Sequence, residues 1–324
     1  MIRKIIGTLI VVLVINFFLP RLMPGDPFDF LSVEEGNVTV TLTEDQIEFY
    51  RAYYGMDKPL GEQFVDYVRR AITGDFGNSI YYNRPVRQMI IERITWTFAL
   101  VVISLFVSCI IGTAFGMISA YYTGTKKFLD GMLIRIMTIL SEVPDFMLGL
   151  LMLFIFSAKL KWFPLSGGAT AFAEYDNVLE WFIDYGTHAA LPCLVLILSS
   201  LGDFFLLGRQ SMIAVLREPY VETAKAKGLS KRRVMINHVL VNAFSPIIAR
   251  VFMRLGMMIG GAVLVENVFA YPGVGRLMRE SVSLRDYVMI QGVFFYVAIL
   301  VLFFNILADL IYKRTNKRGN HENL

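Results

Sequence analysis

Six stretches of this chain are so apolar, over so many residues, that they restrict it to helices held in lipid. They run from about Ile5 to Leu22, Thr97 to Tyr122, Leu133 to Leu160, Ala189 to Leu207, Ile247 to Val268 and Tyr287 to Tyr312. A bilayer core of about 30 Å takes roughly 20 helical residues to cross, and no backbone polar group can be left unpaired there. Content of 56% hydrophobic and 18% charged over 324 residues is too apolar for a soluble domain of this size. The expected fold class is therefore an all-α integral membrane protein with six transmembrane helices. Arg3 and Lys4 precede the first stretch much as in a secretion signal. No small-x-small cleavage site follows, and Leu19-Pro-Arg21 is a poor substitute, so this stretch reads as a retained helix.

Basic residues near span ends set the orientation. Arg3 and Lys4 lie before the first span, and Lys126 and Lys127 between the second and third. Arg209, Arg217, Lys225, Lys227, Lys231, Arg232 and Arg233 lie between the fourth and fifth, and Lys313, Arg314, Lys317 and Arg318 after the sixth. With six alternating spans all these groups share one side, the cytoplasm, together with both termini. The net charge of +4 is then positive-inside bias plus one basic loop, with no nucleic-acid partner implied. Cys109 and Cys193 sit in apolar spans as packing residues, and His188, His238 and His321 are scattered, so no disulfide framework or metal site is expected.

The chain divides into an N-terminal span (1–23), an outward segment (24–94), a five-helix core (95–312) with a cytoplasmic loop at 209–245, and a tail (313–324). Within the outward segment, Pro24-Gly-Asp-Pro27 reads as a turn. Thr43 with Gln46 forms a capping box and Gly55 a stop, predicting a helix over 44–54. Phe64, Val68 and Ile72 recur at four-residue steps, predicting an amphipathic helix over 60–73, and Pro85 to Arg93 leads as a helix into the second span. The segment is expected to be a helical extracellular cap.

The loop at 209–245 is the polar exception between two spans. Pro219 suits a first helical position, Tyr220, Ala224 and Gly228 follow at four-residue spacing, and Gly228 can take the left-handed conformation that ends a helix. Ser230 can then cap a second helix through Arg233 towards Val241. Glu222-Thr-Ala224, three residues, then Gly228 resembles the "EAA" loop of binding-protein-dependent ABC importer permeases. The longer string from Tyr220 to Val234, with His238, Leu240 and Asn242-Ala243, resembles the peptide/nickel subgroup. Thr223 stands where that pattern has a second Ala, and Val241 where it often has Pro. Pro24-Gly-Asp-Pro27, Tyr54-Gly-Met-Asp-Lys-Pro-Leu60, Gly74-Asp-Phe-Gly-Asn-Ser79, Arg84-Pro-Val86, Glu266-Asn-Val-Phe-Ala-Tyr-Pro-Gly-Val-Gly-Arg-Leu277, Arg285-Asp-Tyr287 and Gln291-Gly292 resemble the B-type subunit of oligopeptide and dipeptide importers. The tail lacks the acidic-Pro-Arg ending often seen there.

The resemblance implies a type I ABC importer permease in a bacterial cell membrane, forming half of a pore with a second related permease. Two ATPase subunits, carrying ATP and Mg, would lie below and an extracellular solute-binding protein above. It assigns Tyr220, Glu222, Ala224 and Gly228 to ATPase coupling, with Glu222 making a polar or ionic contact and Ala224 and Gly228 a close-packed surface. Peptides are the expected cargo, with nickel or a metal chelate the alternative. The chain itself has no phosphate loop, no H-E-x-x-H and no G-x-S-x-G, so it is expected to be non-catalytic and to hold no cofactor.

Carboxylates at bilayer depth are costly unless they face protein or water. Glu142 and Asp145 flank Pro144, which should open the third span, and Asp203 lies within the fourth. Two roles fit them: lining the solute path, or satisfying helix ends or partner subunits. Gly112 with Gly116, and Gly256 with Gly260 and Gly261, allow close helix packing, most simply inside the subunit. An ion-coupled carrier built on the acids is the rival class, against which stand the low span count and the lack of an inverted repeat.

Overall fold

The computed structural model describes residues 2–24, 27, 28, 33–35, 38–40, 43–123 and 127–321. Part of the Pro24–Pro27 turn, Lys126 and the last three tail residues lie outside the described residues. Among the described residues the fold is helical, apart from one antiparallel hairpin of β1 (Val33–Glu35) and β2 (Val38–Val40) that pairs Val33 with Val40. The helices are α1 (Ile2–Arg21), α2 (Glu44–Tyr54), α3 (Leu60–Thr73), α4 (Val86–Tyr121), α5 (Lys127–Glu142) and α6 (Asp145–Met152). After them come α7 (Val178–Leu216), α8 (Pro219–Ala226), α9 (Lys231–Val234), α10 (Val241–Val268), α11 (Val274–Ser283) and α12 (Tyr287–His321). Wider π-type turns extend α6 through Lys159 and join α9 to α10.

Among the described residues, four helices are long and apolar enough to cross a membrane: α4, α7, α10 with its lead-in from Arg232, and α12. A fifth crossing exists if α5 and α6 count as one broken span, and the apolar part of α1, Ile5–Arg21, is shorter. The break falls where Pro144 stands. It has no N–H to continue the α5 ladder, and the chain turns by 97° before Asp145 starts α6. The apolar part of α12 ends at Ile311, and the helix continues to His321.

The chain forms two compact units, and the division falls within α4, between α10 and α11, and within α12. The first comprises residues 1–96 and 272–302. Here the Thr43 hydroxyl accepts from Gln46 N–H, the Gln46 side chain accepts from Thr43 N–H, and Gly55 closes α2 at φ 68°. Its core gathers Phe17, Tyr67, Phe76, Ile90, Leu277 and Met289. Tyr67 and Ala71 are the buried members of α3, Phe64 and Val68 flank them, and Ile72 is 81% exposed, outside the stripe that its spacing suggested. Asn16, the one amide in the apolar run of α1, donates to Tyr67 OH at 3.0 Å and to Gln291 O at 2.8 Å. A polar group that would be costly in lipid thereby pins α1 to α3 and α12. Gly292 serves close approach: a Cβ there would meet Val86 Cγ1 at 2.5 Å.

The second unit comprises residues 97–271 and 303–324 and is organised around α7. A Cβ on Gly112 would meet Leu201 O at 2.7 Å, one on Gly116 would overlap the Phe205 carbonyl, and one on Gly208 would meet Thr113 O at 2.9 Å. The small residues of α4 and α7 thus let two backbones touch, which is packing inside the subunit. Gly260 behaves differently, with nothing within 4 Å of an added Cβ.

Candidate functional site

The loop between the α7 and α10 spans forms the elbow that its sequence suggests. Glu218 is extended (φ −73°, ψ 140°), Pro219 occupies the first position of α8, and eight residues later the helix stops. Gly228 adopts φ 75°, its N–H donates to Lys225 O at 3.0 Å, and Leu229 N–H donates to Ala224 O at 3.4 Å. These bonds satisfy carbonyls that the end of a helix leaves open. The second helix does not end near Val241. α9, the π-type turns and α10 run on as one rod from Arg232 to Val268.

One side of α8 is bedded in the chain's own core. Val221 (0% exposed) and Ala224 (5%) join Met117 and Ala120 of α4, Met212 of α7, and Val234, Val239, Ala243 and Ile247. Tyr220, Glu222, Thr223, Lys225, Lys227 and Gly228 face outward. Ala224 therefore lies on the inner face, and the outer face is polar, with Tyr220 at one end and Gly228 at the other. This face is joined to α7 at Arg217 and to α10 through α9.

Beside this core lies an ion pair that the sequence reading did not single out. Arg209 Nη2 donates to Asp130 Oδ2 at 2.8 Å, and Nε donates to Asp130 Oδ1 at 3.2 Å and to Ser119 Oγ at 3.3 Å. Ser119 also donates to Asp130, and Thr123 Oγ1 donates to it at 3.4 Å. The network ties α4, α5 and α7 together with Asp130 only 9% exposed. In sequence Arg209 is one basic residue of the loop. The signal that could have found the pair is Asp130 itself, an acid near the start of an apolar stretch.

The expected path residues are dispersed. Glu142 is exposed at the end of α5. Asp145 is half-buried in the first turn of α6, and a Cβ on Gly261 would meet its Oδ2 at 2.6 Å, so the missing side chain makes room for the carboxylate. Asp203, on α7, pairs with Arg254 Nη1 of α10 at 2.9 Å. Arg254, a cation midway along an apolar helix, is the partner that the sequence reading missed, and its Nε has no hydrogen-bond partner among the described residues. Glu266 is fully buried and accepts from Thr97 Oγ1 at 2.6 Å, which makes it a structural acid joining α10 to α4. Among the described residues, no group of three or more His, Cys, Asp or Glu side chains could hold a metal ion.

Comparison with known proteins places this arrangement. Over 318 residues the chain is 34% identical to the glutathione transport system permease protein GsiC of Pectobacterium atrosepticum, covering 97% of this chain and 96% of that one. It is 32% identical over 319 residues to a probable peptide ABC transporter permease protein of Sinorhizobium fredii, covering 98% and 97%. A solved structure of the MetNI methionine ABC transporter in inward-facing conformations shares the fold at TM-score 0.52 and 15% identity, over 70% of this chain and 96% of that one. Residues 112–320, which include α8 and the intramembrane charges, match the family described as binding-protein-dependent transport system inner membrane component. The chain belongs to that family.

Proposed function

We propose that this chain is a B-type permease subunit of an ATP-driven importer, forming half of a pore for oligopeptides or dipeptides in the bacterial cell membrane. Both termini lie in the cytoplasm and residues 24–94 form the extracellular cap. A second related permease completes the pore, two ATPase subunits that carry ATP and Mg dock below, and a solute-binding protein delivers cargo from outside. The observation that carries this reading is α8, a short helix with a polar outer face and an inner face locked to α4, α7 and α10. Closure of the ATPases on ATP pushes α8 as a rigid lever. The spans joined to it then switch between inward-open and outward-open arrangements, a two-state element biased from a distant site.

On the docking face, Glu222 and Tyr220 make the contacts, Ala224 holds the lever to the bundle, and Gly228 sets the bend. Asp145, Asp203 and Glu142 adjoin the solute path, with Asp203 held by Arg254. The names of the relatives, peptide and glutathione permeases, support peptide cargo, since glutathione is itself a tripeptide. They give no support to nickel. Membership of a binding-protein-dependent family favours the ATP-driven reading over an ion-coupled carrier.

The test is uptake of a labelled dipeptide by proteoliposomes that contain the chain with its ATPase, permease and binding-protein partners. Uptake that needs hydrolysable ATP and survives an ionophore is expected. Uptake that proceeds without nucleotide and collapses with the ionophore overturns the reading.

A further inference from the structure

We infer that a cleft in the first unit, between α1, the α2–α3 region and the start of α12, binds the free carboxylate of a small solute. The cleft is a cavity of about 120 Å³ whose lining includes Arg21, Lys58, Gln63, Asp66, Arg70 and Gln291. Three of these are cations and one is an acid. Asp66 is taken by Lys58, whose Nζ lies 2.8 Å from Oδ2. Arg21 and Arg70 have no ion-pair partner among the described residues.

The bonds that hold the two guanidinium groups go to neutral oxygens only. Arg21 Nε and Nη2 donate to Gln63 Oε1 at 3.3 and 2.6 Å, and Nη1 donates to Phe17 O at 2.7 Å. Its Cζ sits 3.7 Å from the Phe17 ring centroid. Gln63 is fixed in turn by donating to Met56 O at 3.1 Å and Lys58 O at 2.8 Å. A guanidinium has five N–H donors, so Arg21 is positioned with donors to spare. Arg70 Nη1 donates to Phe76 O at 3.2 Å.

Arg21, held by neutral oxygens with N–H donors free, and Arg70, with the one nearby acid Asp66 bonded to Lys58, favour a planar anion that accepts several hydrogen bonds, and a carboxylate is one. The volume is somewhat below that of cavities that hold a benzene ring, about 150 Å³. One carboxylate with a few carbons fills this space, and the rest of a longer solute would lie outside it. Where the cargo is a linear peptide, as proposed above, the group held is its C-terminal carboxylate. That last step rests on the transport reading, whereas the binding does not.

The experiment uses the full chain in membranes, with Cys109→Ala and Cys193→Ala as background and Tyr53→Cys as a reporter on the cleft wall. Modification by a membrane-impermeant maleimide is timed with dialanine, dialanine amide or glycerol phosphate present. Dialanine is expected to slow the reaction and its amide to leave it unchanged. Arg21→Gln and, separately, the exposed Arg70→Gln should each raise the half-protecting concentration about tenfold, the scale of one charged hydrogen bond. Arg69→Gln, an equal charge loss on α3 outside the cleft, should not. Protection by glycerol phosphate alone assigns the cleft to lipid headgroups and overturns the proposal. Equal protection by the amide, or none by any probe, also overturns it. No step needs ATP or uptake, so failure here is separable from failure of the transport reading.

Discussion

Ser79 Oγ donates a 2.5 Å hydrogen bond to Asp286 Oδ2 across 207 positions of sequence. The same carboxylate accepts from Tyr81 N–H at 3.2 Å and, through Oδ1, from Met289 N–H at 2.9 Å. Asp286 thus caps the N-terminus of α12 and clamps the turn that follows α3. Two short motifs that look unrelated in sequence, Gly74–Ser79 and Arg285–Tyr287, are the two halves of one joint.

That joint has a consequence for Tyr54, whose hydroxyl donates to Ser79 O at 3.4 Å. Burial first, then the nearby Asp286, Tyr53 and Tyr50, pushes its phenol up to about 12. The folded value lies above the ordinary one of about 10. The contribution of Tyr54 to stability is therefore full below about pH 10 and is lost as pH rises through about 12. Phenolate absorbance titration should show a late-ionising group that Tyr54→Phe removes and Asp286→Asn moves downward. Ionisation of Tyr54 near pH 10 would contradict this environment.

Two glycines that the sequence treats alike should respond oppositely to alanine. An added methyl at Gly116 overlaps the Phe205 carbonyl, whereas one at Gly260 meets nothing within 4 Å. Gly116→Ala should destabilise the purified chain by about 1–3 kcal/mol. Gly260→Ala should be neutral or stabilising by up to about 1 kcal/mol from helix propensity. Thermal unfolding in detergent measures both, and equal responses would contradict the α4–α7 contact.

Breaking the Asp130–Arg209 pair leaves a partly buried charge uncompensated. Asp130→Asn or Arg209→Gln should each cost about 3 kcal/mol, and the double variant less than the sum. A thermal-stability double-mutant cycle checks this. Additive losses would mean that the two residues act independently.

Much of the elbow and the flanking helices is legible in sequence because local rules govern it. Thr43 and Gly55 bracket α2, Pro144 breaks the third span, and Pro219 with Gly228 bounds α8, each through its own backbone chemistry. The direction that a face takes is less legible. Ala224 points inward because Val221 and Ala224 share the side of α8 that meets α4 and α7, and α8 is too short to show a periodicity. Long-range partners are hidden altogether. Arg209 counts as a loop charge until Asp130 is seen beside it, and Arg254 passes as a stray cation in an apolar run until Asp203 pairs with it.

That second pair should tolerate exchange better than loss. Asp203→Arg or Arg254→Asp alone places like charges together between α7 and α10 and should lower dipeptide uptake more than tenfold, about 1.4 kcal/mol or more. The double exchange should recover a substantial part. Uptake assays at matched membrane levels decide it, and a double variant no better than the worse single one would show that the pair does not act as a unit.

Glu222 gives the most direct test of the central claim, that force from ATPase subunits enters through α8. The residue is exposed on the outer face and lies in none of the core clusters, so Glu222→Arg should leave folding and membrane insertion intact. The measurement is ATP-dependent dipeptide uptake by proteoliposomes of the assembled importer, wild type against Glu222→Arg at equal chain content. Loss of at least about tenfold, the scale of one charged contact, is the predicted result. Unchanged uptake in that variant would contradict the account.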